Sequence, residues 1–563
     1  MSQVIQRRNV GGRTNDDVRF ARWDGTVIYQ VYLKSFKDGN GDGVGDVAGL
    51  IEKLDYLVSL GVDAIWISPW FRSPMRDGGY DVQDYRSIDP IFGSMDEAEH
   101  LVEVCHERGL LVVLDLVANH CSIEHPWFVE ALRSDGDSSA RNRFYFRDGR
   151  GPDCELPPTD WLSIFGGPAW TRTANLDGTP GQWYLHLFDS SQPDFNWDCD
   201  DVRVEFDSIL RFWFDRGVDG FRLDAIPALG KDADFRDAGF TDHIRFQPEF
   251  WPPQPFWDAD GAHQVLKRWR GIAREYTPER FYLGEVTVGD SAQLARYLRH
   301  DEIHSVLTVD LAKLKWQASD FRCAIAAILR TAPGDGTWLT WTLSSHDETR
   351  TVSRFAPQKR GEEPGLDLEV GRQRSRAAQL MMLALPGSIC LYQGEELGLE
   401  QVHAIPRELL QDPAVRRTGD TSLARDGCRV PLPWTGETST LGFSDIAAPW
   451  LPIPGHWSEL SVGHQRVDSD SFLNVITAAL TVRRAMRDDL TDIVMWDDHC
   501  DGVVQLCRGE SFRCVVNFSG DPWVLDQNDR LLVTSSSRSE ARVVPVNTAA
   551  WIMRDVASEE RRV

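Results

Sequence analysis

Charged side chains interrupt an apolar stretch of this 563-residue chain at Arg222 and Asp224, within VDGFRLDAI (218–226). Side chains alternate between the two faces of an extended chain, so these two point the same way, opposite to Phe221 and Leu223. A charge in such a stretch needs a partner or a function. Because a neighbouring arginine favours the ionised form of a carboxylate, Arg222 is predicted to keep Asp224 charged.

Polar side chains also end three other apolar runs. LGEV carries Glu285, SSHDET carries His346 and Asp347, and DLVANH carries Asp115, Asn119 and His120. A single ionised group at a strand end is more often part of a structural ion pair. Several carboxylates that converge push their pKa values apart, so that one stays ionised while another holds a proton. Glycosidic cleavage needs this division, since one carboxyl protonates the leaving oxygen and the other attacks or stabilises the sugar carbon.

The elements that must position these residues alternate between strands and helices. Amphipathic segments such as 47–61, 95–109 and 201–217 have helical periodicity. Apolar or β-branched runs between such segments are predicted as eight strands, at residues 27–36, 62–69, 110–117, 218–225, 280–286, 304–311, 337–345 and 388–396. Eight strand–helix units predict an α/β fold, a (β/α)8 TIM barrel with its active site at the carboxyl ends of the strands.

Long segments between these units predict additional domains. The barrel is assigned residues 1–117 and 201–490, with residues 1–22 as a flexible tail. Residues 118–200 are predicted to form an inserted subdomain after strand 3, because a minimal barrel spends only about 30 residues on each unit. Residues 491–563 show short alternating strands without helical periodicity and are predicted to form a C-terminal antiparallel β domain, a β-sandwich.

Composition limits the compartment and the partners. The formal net charge of −26 disfavours nucleic acid and anionic membrane surfaces. No apolar stretch is long enough for a signal peptide or a membrane span. The ten cysteines include no C-x-x-C pair, so neither a zinc site nor a disulfide framework is predicted. We expect a cytoplasmic protein, monomer or homodimer, that acts on a small molecule.

The motifs DLVANH, GFRLDA, GEV and SHDET, in this order, resemble those of the α-amylase family, glycoside hydrolase family 13. Five further segments narrow the resemblance to its exo-acting α-glucosidase and oligo-1,6-glucosidase branch: QVYLKSF (30–36), GGYDVQDY (78–85), QPDFNW (192–197), YQGEELG (392–398) and RDGCRVPLPW (425–434). The resemblance implies a retaining exo-α-glucosidase that releases terminal non-reducing α-linked glucose from short oligosaccharides through a covalent glycosyl-enzyme.

Residue by residue, the resemblance implies three catalytic carboxyl groups. Asp224 is the nucleophile, Glu285 is the general acid/base, and Asp347 is the third carboxylate, which binds sugar hydroxyls and favours ring distortion. The implied substrate-binding side chains are Arg222 beside the nucleophile, Asp81 and Arg425 at the non-reducing end, His120 and His346 on the transferred glucose, Arg429 near the leaving group, and Phe165 and Phe188 at ring-stacking positions.

The loop DGNGDGVGD (38–46) has oxygen donors at even positions, separated by glycines that permit tight turns. A bare acidic, glycine-rich loop is more often a solvated turn. The same loop after the first strand of related α-glucosidases binds Ca²⁺ or Mg²⁺, so the resemblance implies a structural cation, without an organic cofactor. The implied ligands are Asp38, Asn40, Asp42, the Val44 carbonyl and Asp46.

One position departs from the family pattern, and another varies among family members with the bond that they prefer. Ser345 stands before His346, where the family usually has Asn. Ala225 follows the nucleophile, where members that prefer α-1,6 bonds usually carry Val. Because a smaller side chain leaves more room for the leaving group, we expect maltose-type α-1,4 substrates, and sucrose, to be preferred over isomaltose.

Three alternatives stay open at this stage. A transglycosylase or sucrose isomerase of the same fold would transfer the glycosyl group to a sugar hydroxyl. An oligo-1,6-glucosidase would prefer a different bond. A non-catalytic relative would use the barrel to bind a partner, but such relatives need a membrane anchor and lack the catalytic carboxylates.

Overall fold

The structure is a computed structural model of the chain. It describes residues 4–5, 23, 25–134, 138–175, 177–240, 246–247, 254–331, 339–359, 365–487, 490, 494–497, 502–518, 520–536 and 542–554. The predicted flexible tail, residues 1–22, lies outside these ranges except for Val4–Ile5, which pairs with Val494 and Met495.

A closed barrel of eight parallel strands forms the centre of the molecule. Each strand pairs with the next in chain order, and the last pairs with the first. Every predicted strand run contains one of them, so the predicted (β/α)8 barrel is confirmed. The strands are β1 Val27–Val31, β2 Ala64–Ile67, β3 Leu111–Leu116, β4 Gly220–Leu223, β5 Phe281–Glu285, β6 Ser305–Thr308, β7 Leu339–Thr342 and β8 Ser388–Tyr392.

Amphipathic helices cover the barrel, and local sequence fixes their ends. Met95–Glu107 begins with a capping box between Ser94 and Glu97, and Leu54–Leu60 ends at Gly61, whose φ of 96° suits glycine. The helices that connect the strands are Val47–Glu52, Leu54–Leu60, Met95–Glu107, Asp200–Phe214, Asp260–Ala273, Ser291–Tyr297, Asp310–Lys313, Ala318–Thr331, Thr351–Phe355 and Leu368–Leu383, and Phe472–Ala485 follows β8.

Three further sheet regions lie outside the barrel among the described residues. In the loop after β2, Phe71–Arg72 pairs antiparallel with Asp84–Ile88. Between β3 and β4, where the inserted subdomain is predicted, Phe146–Arg147, Trp170–Ala174 and Pro180–Leu185 form a three-stranded antiparallel sheet. After the barrel, the predicted C-terminal antiparallel β structure is present. Its six-stranded sheet consists of Val4–Ile5, Val494–Asp497, Val503–Arg508, Phe512–Asn517, Thr548–Arg554 and Asp529–Thr534, and Trp523–Val524 pairs with Val543–Val544 beside it.

The long loop after β8 contains two short α-helices, Pro413–Thr418 and Val462–Arg466. The loops that follow β2, β3 and β8 contact one another. The Ser122 amide donates to the Val82 carbonyl, and Arg425 donates to Asp77. Within the ranges given above, none of the helices has the length and hydropathy needed to cross a bilayer.

Candidate active site

The guanidinium of Arg222 holds three carboxyl groups together at the carboxyl end of the barrel. Its Nη1 donates to Asp224 Oδ1 at 2.7 Å and to Asp115 Oδ1 at 2.8 Å, and its Nη2 donates to Glu285 Oε2 at 2.6 Å. The arginine is 2% exposed, so these bonds lie in a nearly dry environment. Strands β3, β4 and β5 are adjacent, which explains why the three carboxyl groups meet.

Glu285 lies at the edge of this cluster and Asp224 lies deeper. The Glu285 side chain is 24% exposed and that of Asp224 is 9% exposed. The backbone N–H of Ala225 also donates to Glu285 Oε2, at 3.0 Å. Ala225 has a φ of 42° and a ψ of 41°, a left-handed conformation that is uncommon for a residue with a Cβ. The strained backbone directly after Asp224 therefore helps to orient Glu285.

Asp115 is fixed from its other side by two aromatic residues. Its Oδ2 accepts hydrogen bonds from Trp66 Nε1 at 3.1 Å and from the Tyr80 hydroxyl at 3.0 Å. Tyr80 also lies 2.8 Å from His346 Nε2, and the two rings stack with their centroids 5.3 Å apart. The opposite ring nitrogen of His346 is 2.7 Å from Gln30 Nε2. This chain of contacts orients His346 toward the carboxyl cluster.

Asp347 forms a second charged centre beside the first. Its Oδ1 accepts from Arg425 Nη1 at 2.8 Å and from Arg429 Nη2 at 2.9 Å, and its Oδ2 lies 3.2 Å from His346 Nε2. Arg429 also donates from Nε to the His346 carbonyl. The Asp347 side chain is 32% exposed, so it can reach a bound molecule. Three predicted site residues, Asp347, Arg425 and Arg429, therefore lie together.

One predicted site residue does not reach this centre. Asp81 is fully buried, and its carboxylate accepts from the backbone amides of Arg76 and Asp77 and from Ser73 Oγ, all in its own loop. The carboxylate that meets Arg425 is that of Asp77, which accepts from Arg425 Nη2 at 3.1 Å. The structure therefore places Asp77, and not the predicted Asp81, beside Arg425.

The predicted histidine and aromatic residues lie around Asp77. Gln192 Nε2 donates to Asp77 Oδ2 at 3.1 Å and lies 3.2 Å from His120 Nε2. The His120 ring is 4.7 Å from that of Phe188, which meets Phe165 edge to face. The Phe165 ring lies 5.2 Å from the Arg425 guanidinium. These residues form a continuous polar and aromatic wall that reaches Arg425.

Burial dominates the protonation of the site. It raises the pKa of Asp224 well above the usual range and that of Asp115 to about 6, because the single charge of Arg222 is shared among three carboxyl groups. Burial therefore favours the protonated form within the cluster, and the charge of Arg222 opposes that effect. Burial also lowers the pKa values of His120 and His346 to about 3, so both rings are neutral at pH 7.

The pKa of Asp347 is shifted in the opposite direction, downward. Burial would raise its pKa, but the neighbouring His346 and the guanidinium groups of Arg425 and Arg429 outweigh that effect and hold the pKa of Asp347 well below its usual range. The site therefore contains one carboxylate whose charge its neighbours stabilise, and a separate cluster in which burial favours the protonated form.

The acidic loop 38–46 lies apart from these residues. Asp38 accepts from the amides of Gly41 and Gly43, and Asp46 accepts from those of Gly39, Asn40 and Gly49. No three His, Cys, Asp or Glu side chains converge as metal ligands in the part of the chain that the structure describes. The oxygen donors suit a hard cation in type, but the loop aspartates alone do not form a site, so Asn40, the Val44 carbonyl and water would have to contribute.

The sequence did not predict a role for several residues of the site. Among them, only Asp115 was noted from the sequence, and without a role. Most of them lie in a quoted motif, and Asp77 directly precedes one, whereas Trp66 and Asp412 lie outside the motifs. No local pattern shows which way any of these side chains faces. They are Gln30, Trp66, Asp77, Tyr80, Asp115, Gln192 and Asp412.

Known proteins show the same combination of fold and motifs. A family model for the catalytic domain of α-amylase matches residues 30–492. A probable α-glucosidase of Rhizobium meliloti (strain 1021) is 38% identical, with 82% of each chain covered, and an oligo-1,6-glucosidase of Heyndrickxia coagulans is 32% identical, with 90% of this chain and 94% of that protein covered.

Two solved structures are similar over nearly the whole chain. The α-glucosyl transfer enzyme XgtA has a TM-score of 0.81 at 34% identity, covering 95% of this chain and 99% of that one. The trehalulose synthase MUTB has a TM-score of 0.80 at 28% identity, covering 94% of this chain and 99% of that one.

Proposed function

This chain belongs to the α-amylase family, glycoside hydrolase family 13, and from that premise we propose that it is a retaining exo-α-glucosidase. The observation that carries the proposal is the Arg222 guanidinium, which bonds Asp224 through one nitrogen and Glu285 through the other. Two carboxyl groups on one guanidinium lie side by side, which suits the separation of about 5 Å that retaining glycosidases use.

In the proposed mechanism Asp224 attacks the anomeric carbon of the terminal glucose. Glu285, the more exposed of the two, donates its proton to the glycosidic oxygen as that bond breaks. The glycosyl ester on Asp224 is then hydrolysed by water, which gives a proton back to Glu285. This mechanism requires a protonated Glu285 and an ionised Asp224, and the hydrogen bond from Arg222 stabilises the ionised Asp224.

The second charged centre would bind the hydroxyls of the same glucose. Asp347 accepts and Arg425 donates, and Asp77 lies behind Arg425 at the closed end of the wall. The neutral rings of His120 and His346 supply further hydrogen-bonding nitrogens. A closed end that holds one sugar explains exo action, because a chain can enter only by its terminal unit.

We propose maltose-type α-1,4 substrates, with sucrose as a second substrate. Ala225 is small and lies next to both catalytic carboxyl groups, which leaves room beside the bond that breaks. Curated relatives named α-glucosidase support this choice. The relative named oligo-1,6-glucosidase keeps isomaltose as the alternative substrate.

The test is glucose release from maltose, sucrose, isomaltose and trehalose by the wild-type protein and by Asp224→Asn and Glu285→Gln variants. We expect the wild-type protein to release free glucose, first as the α-anomer. In Asp224→Asn we expect the rate of release to fall by at least roughly 10⁴-fold. Release of the β-anomer would exclude a retaining mechanism. No turnover of any of the four substrates would contradict the proposed activity.

A transglycosylase or sucrose isomerase is the second candidate. The similarity to XgtA, an α-glucosyl transfer enzyme, and to a trehalulose synthase favours it. Both reactions share the glycosyl-enzyme and differ in whether water or a sugar hydroxyl attacks it. Chromatography of the products from maltose and from sucrose separates the two, because transfer yields new di- or trisaccharides with little glucose. The charged catalytic residues are present, which argues against a non-catalytic partner-binding relative.

We propose two further properties that do not enter the mechanism. The loop 38–46 would hold Ca²⁺ or Mg²⁺ through Asp38, Asn40, Asp42, Asp46 and the Val44 carbonyl, since its donors are all oxygen atoms.

The protein would be cytoplasmic, a location that suits the free thiols of all cysteines in the described ranges.

A further inference from the structure

Arg417 joins the loop after β8 to the segment inserted between β3 and β4. Its Nε and Nη2 donate to the Gly166 carbonyl at 2.9 Å and 2.6 Å, and Nη2 also donates to the Pro168 carbonyl at 3.3 Å. Its Nη1 lies 3.9 Å from Asp189 Oδ2. The side chain is only 17% exposed although it lies on a loop, so these contacts replace most of its solvent.

The two segments that Arg417 joins carry the aromatic residues of the site. Phe165 directly precedes Gly166, and Phe188 directly precedes Asp189, so each ring lies one residue from a group that Arg417 contacts. The Ser163 hydroxyl donates to the Phe188 carbonyl at 2.8 Å, which ties these segments to each other. Arg417 therefore fixes both aromatic segments through one guanidinium.

The same loop also positions Arg425. Asp412 caps the helix Pro413–Thr418 by accepting from the Ala414 amide, and its carboxylate accepts from Arg425 Nε at 2.6 Å. Arg417 lies on that helix, and the Arg425 guanidinium lies over the Phe165 ring. A rigid connection thus runs from the inserted segment through Arg417 and the helix to Arg425.

We propose that Arg417 is a positioning residue that sets how tightly the site holds the terminal glucose. It does not touch the reacting atoms, which lie on the barrel strands. It fixes the wall of Phe165, Phe188 and Arg425 that closes the non-reducing end, and this inference rests on the proposed function. Losing the hydrogen bonds from one guanidinium to the Gly166 and Pro168 carbonyls lets the two loops separate, so binding of the terminal sugar weakens while the catalytic carboxyl groups stay in place.

The test compares Arg417→Met with Arg407→Met. Arg407 is on the same loop, and among the residues that the structure describes its side chain bonds only the Gly419 carbonyl of that loop. In Arg417→Met we expect the KM for maltose and the inhibition constant of glucose to rise together by five- to twentyfold, with kcat within threefold of wild type. Arg417→Lys keeps the charge but not the several N–H donors of the guanidinium. Its KM and inhibition constant should lie between those of the wild type and of Arg417→Met. Arg407→Met should leave all three values within twofold.

Several outcomes would overturn the inference. Unchanged KM and glucose inhibition in a folded Arg417→Met protein would exclude it, as would equal changes in Arg407→Met or a loss confined to kcat. If Arg417→Met does not fold, Arg417→Lys carries the same comparison. If the wild-type protein does not cleave maltose, the proposed function fails separately, and calorimetry with glucose still measures the binding that Arg417 is inferred to control.

Discussion

Asp77 accepts a hydrogen bond from Arg425 at 3.1 Å across two loops that lie far apart in the sequence. Asp77 is 4% exposed, and its other carboxylate oxygen accepts from Gln192. Four residues later Asp81 satisfies only its own loop. Two aspartates of one short motif therefore have different tasks, one in the site and one in the fold of the loop.

Replacing each aspartate by asparagine should separate these tasks. Asp77→Asn removes a charge that orients Arg425, so we expect the KM for maltose to rise by one to two orders of magnitude with little change in melting temperature. Asp81→Asn removes acceptors of loop amides and should lower the melting temperature by several degrees, at roughly 1–3 kcal/mol for unsatisfied buried groups. Steady-state kinetics and thermal unfolding of both variants check this. A larger kinetic effect in Asp81→Asn would reverse the assignment.

The dependence of kcat/KM on pH should show an acid limb near pH 6. Burial raises the pKa values of Asp77 and of Asp115 to about 6, and each balances the charge of its arginine only when it is ionised. Since kcat/KM reports groups of the free enzyme, activity should rise with pH through about 6, with a logarithmic slope approaching two. In Asp77→Asn the slope should approach one. An unchanged limb in that variant would mean that Asp77 does not contribute to it.

Glu395 makes the fold sensitive to pH outside the site. It is buried, its Oε1 has no hydrogen-bond partner among the described residues, and burial raises its pKa from 4.5 to about 7. The folded state therefore keeps a proton that the unfolded chain releases, and the resulting stabilisation is complete below pH 4.5 and lost as pH rises through 7.

Glu395→Gln should remove the loss of stability above pH 7, because glutamine does not ionise. It keeps an acceptor for the Tyr392 amide. Relative to wild type, we expect the free energy of unfolding to increase by on the order of 2 kcal/mol at pH 8 and to change little at pH 4.5. Urea unfolding at the two pH values measures the difference. An equal effect at both would show that packing, and not ionisation, is responsible.

Much of the fold and part of the site follow from local sequence. Alternation along an extended chain places Arg222 and Asp224 on one face, and eight such runs predict the barrel, because both signals depend only on neighbouring residues. Asp115 carries the same signal, a charge within an apolar strand, and its contact with Arg222 follows from strands β3 and β4 being adjacent.

The orientation of loop residues could not be predicted in the same way. Between Asp77 and Asp81 the backbone has two consecutive glycines, Gly78 and Gly79, at φ values of 59° and 103°, which turn the two aspartates to different sides. Asp412 meets Arg425, 13 residues further along the same irregular loop. Gln192 meets Asp77 between loops of different strands, 115 residues apart. Such contacts depend on how loops of different strands pack, and no periodicity in the sequence records them.

Ala225 should influence both stability and bond preference. A β-branched residue fits its left-handed backbone poorly, so Ala225→Val should cost about 1–2 kcal/mol and narrow the space beside Glu285. We expect the ratio of kcat/KM for isomaltose to that for maltose to rise severalfold. Ala225→Gly is the matched control, since glycine accepts this φ and keeps the N–H that bonds Glu285. If Ala225→Val and Ala225→Gly change the ratio equally, side-chain size at this position does not select the bond.

A cation in the loop 38–46 should stabilise the fold without changing the chemistry. Binding to the folded state alone adds about 2.7 kcal/mol when the free cation is at 100 times its Kd, so Ca²⁺ or Mg²⁺ should raise the melting temperature of chelator-treated protein by several degrees. The effect should disappear in Asp42→Ala, whose exposed side chain accepts only the Val44 amide and contributes little to the apo fold. Glucose release per folded molecule should be equal with and without the cation. A melting temperature unaffected by either cation would leave these oxygen atoms as turn-forming acceptors, each satisfied by the loop amides that it already binds.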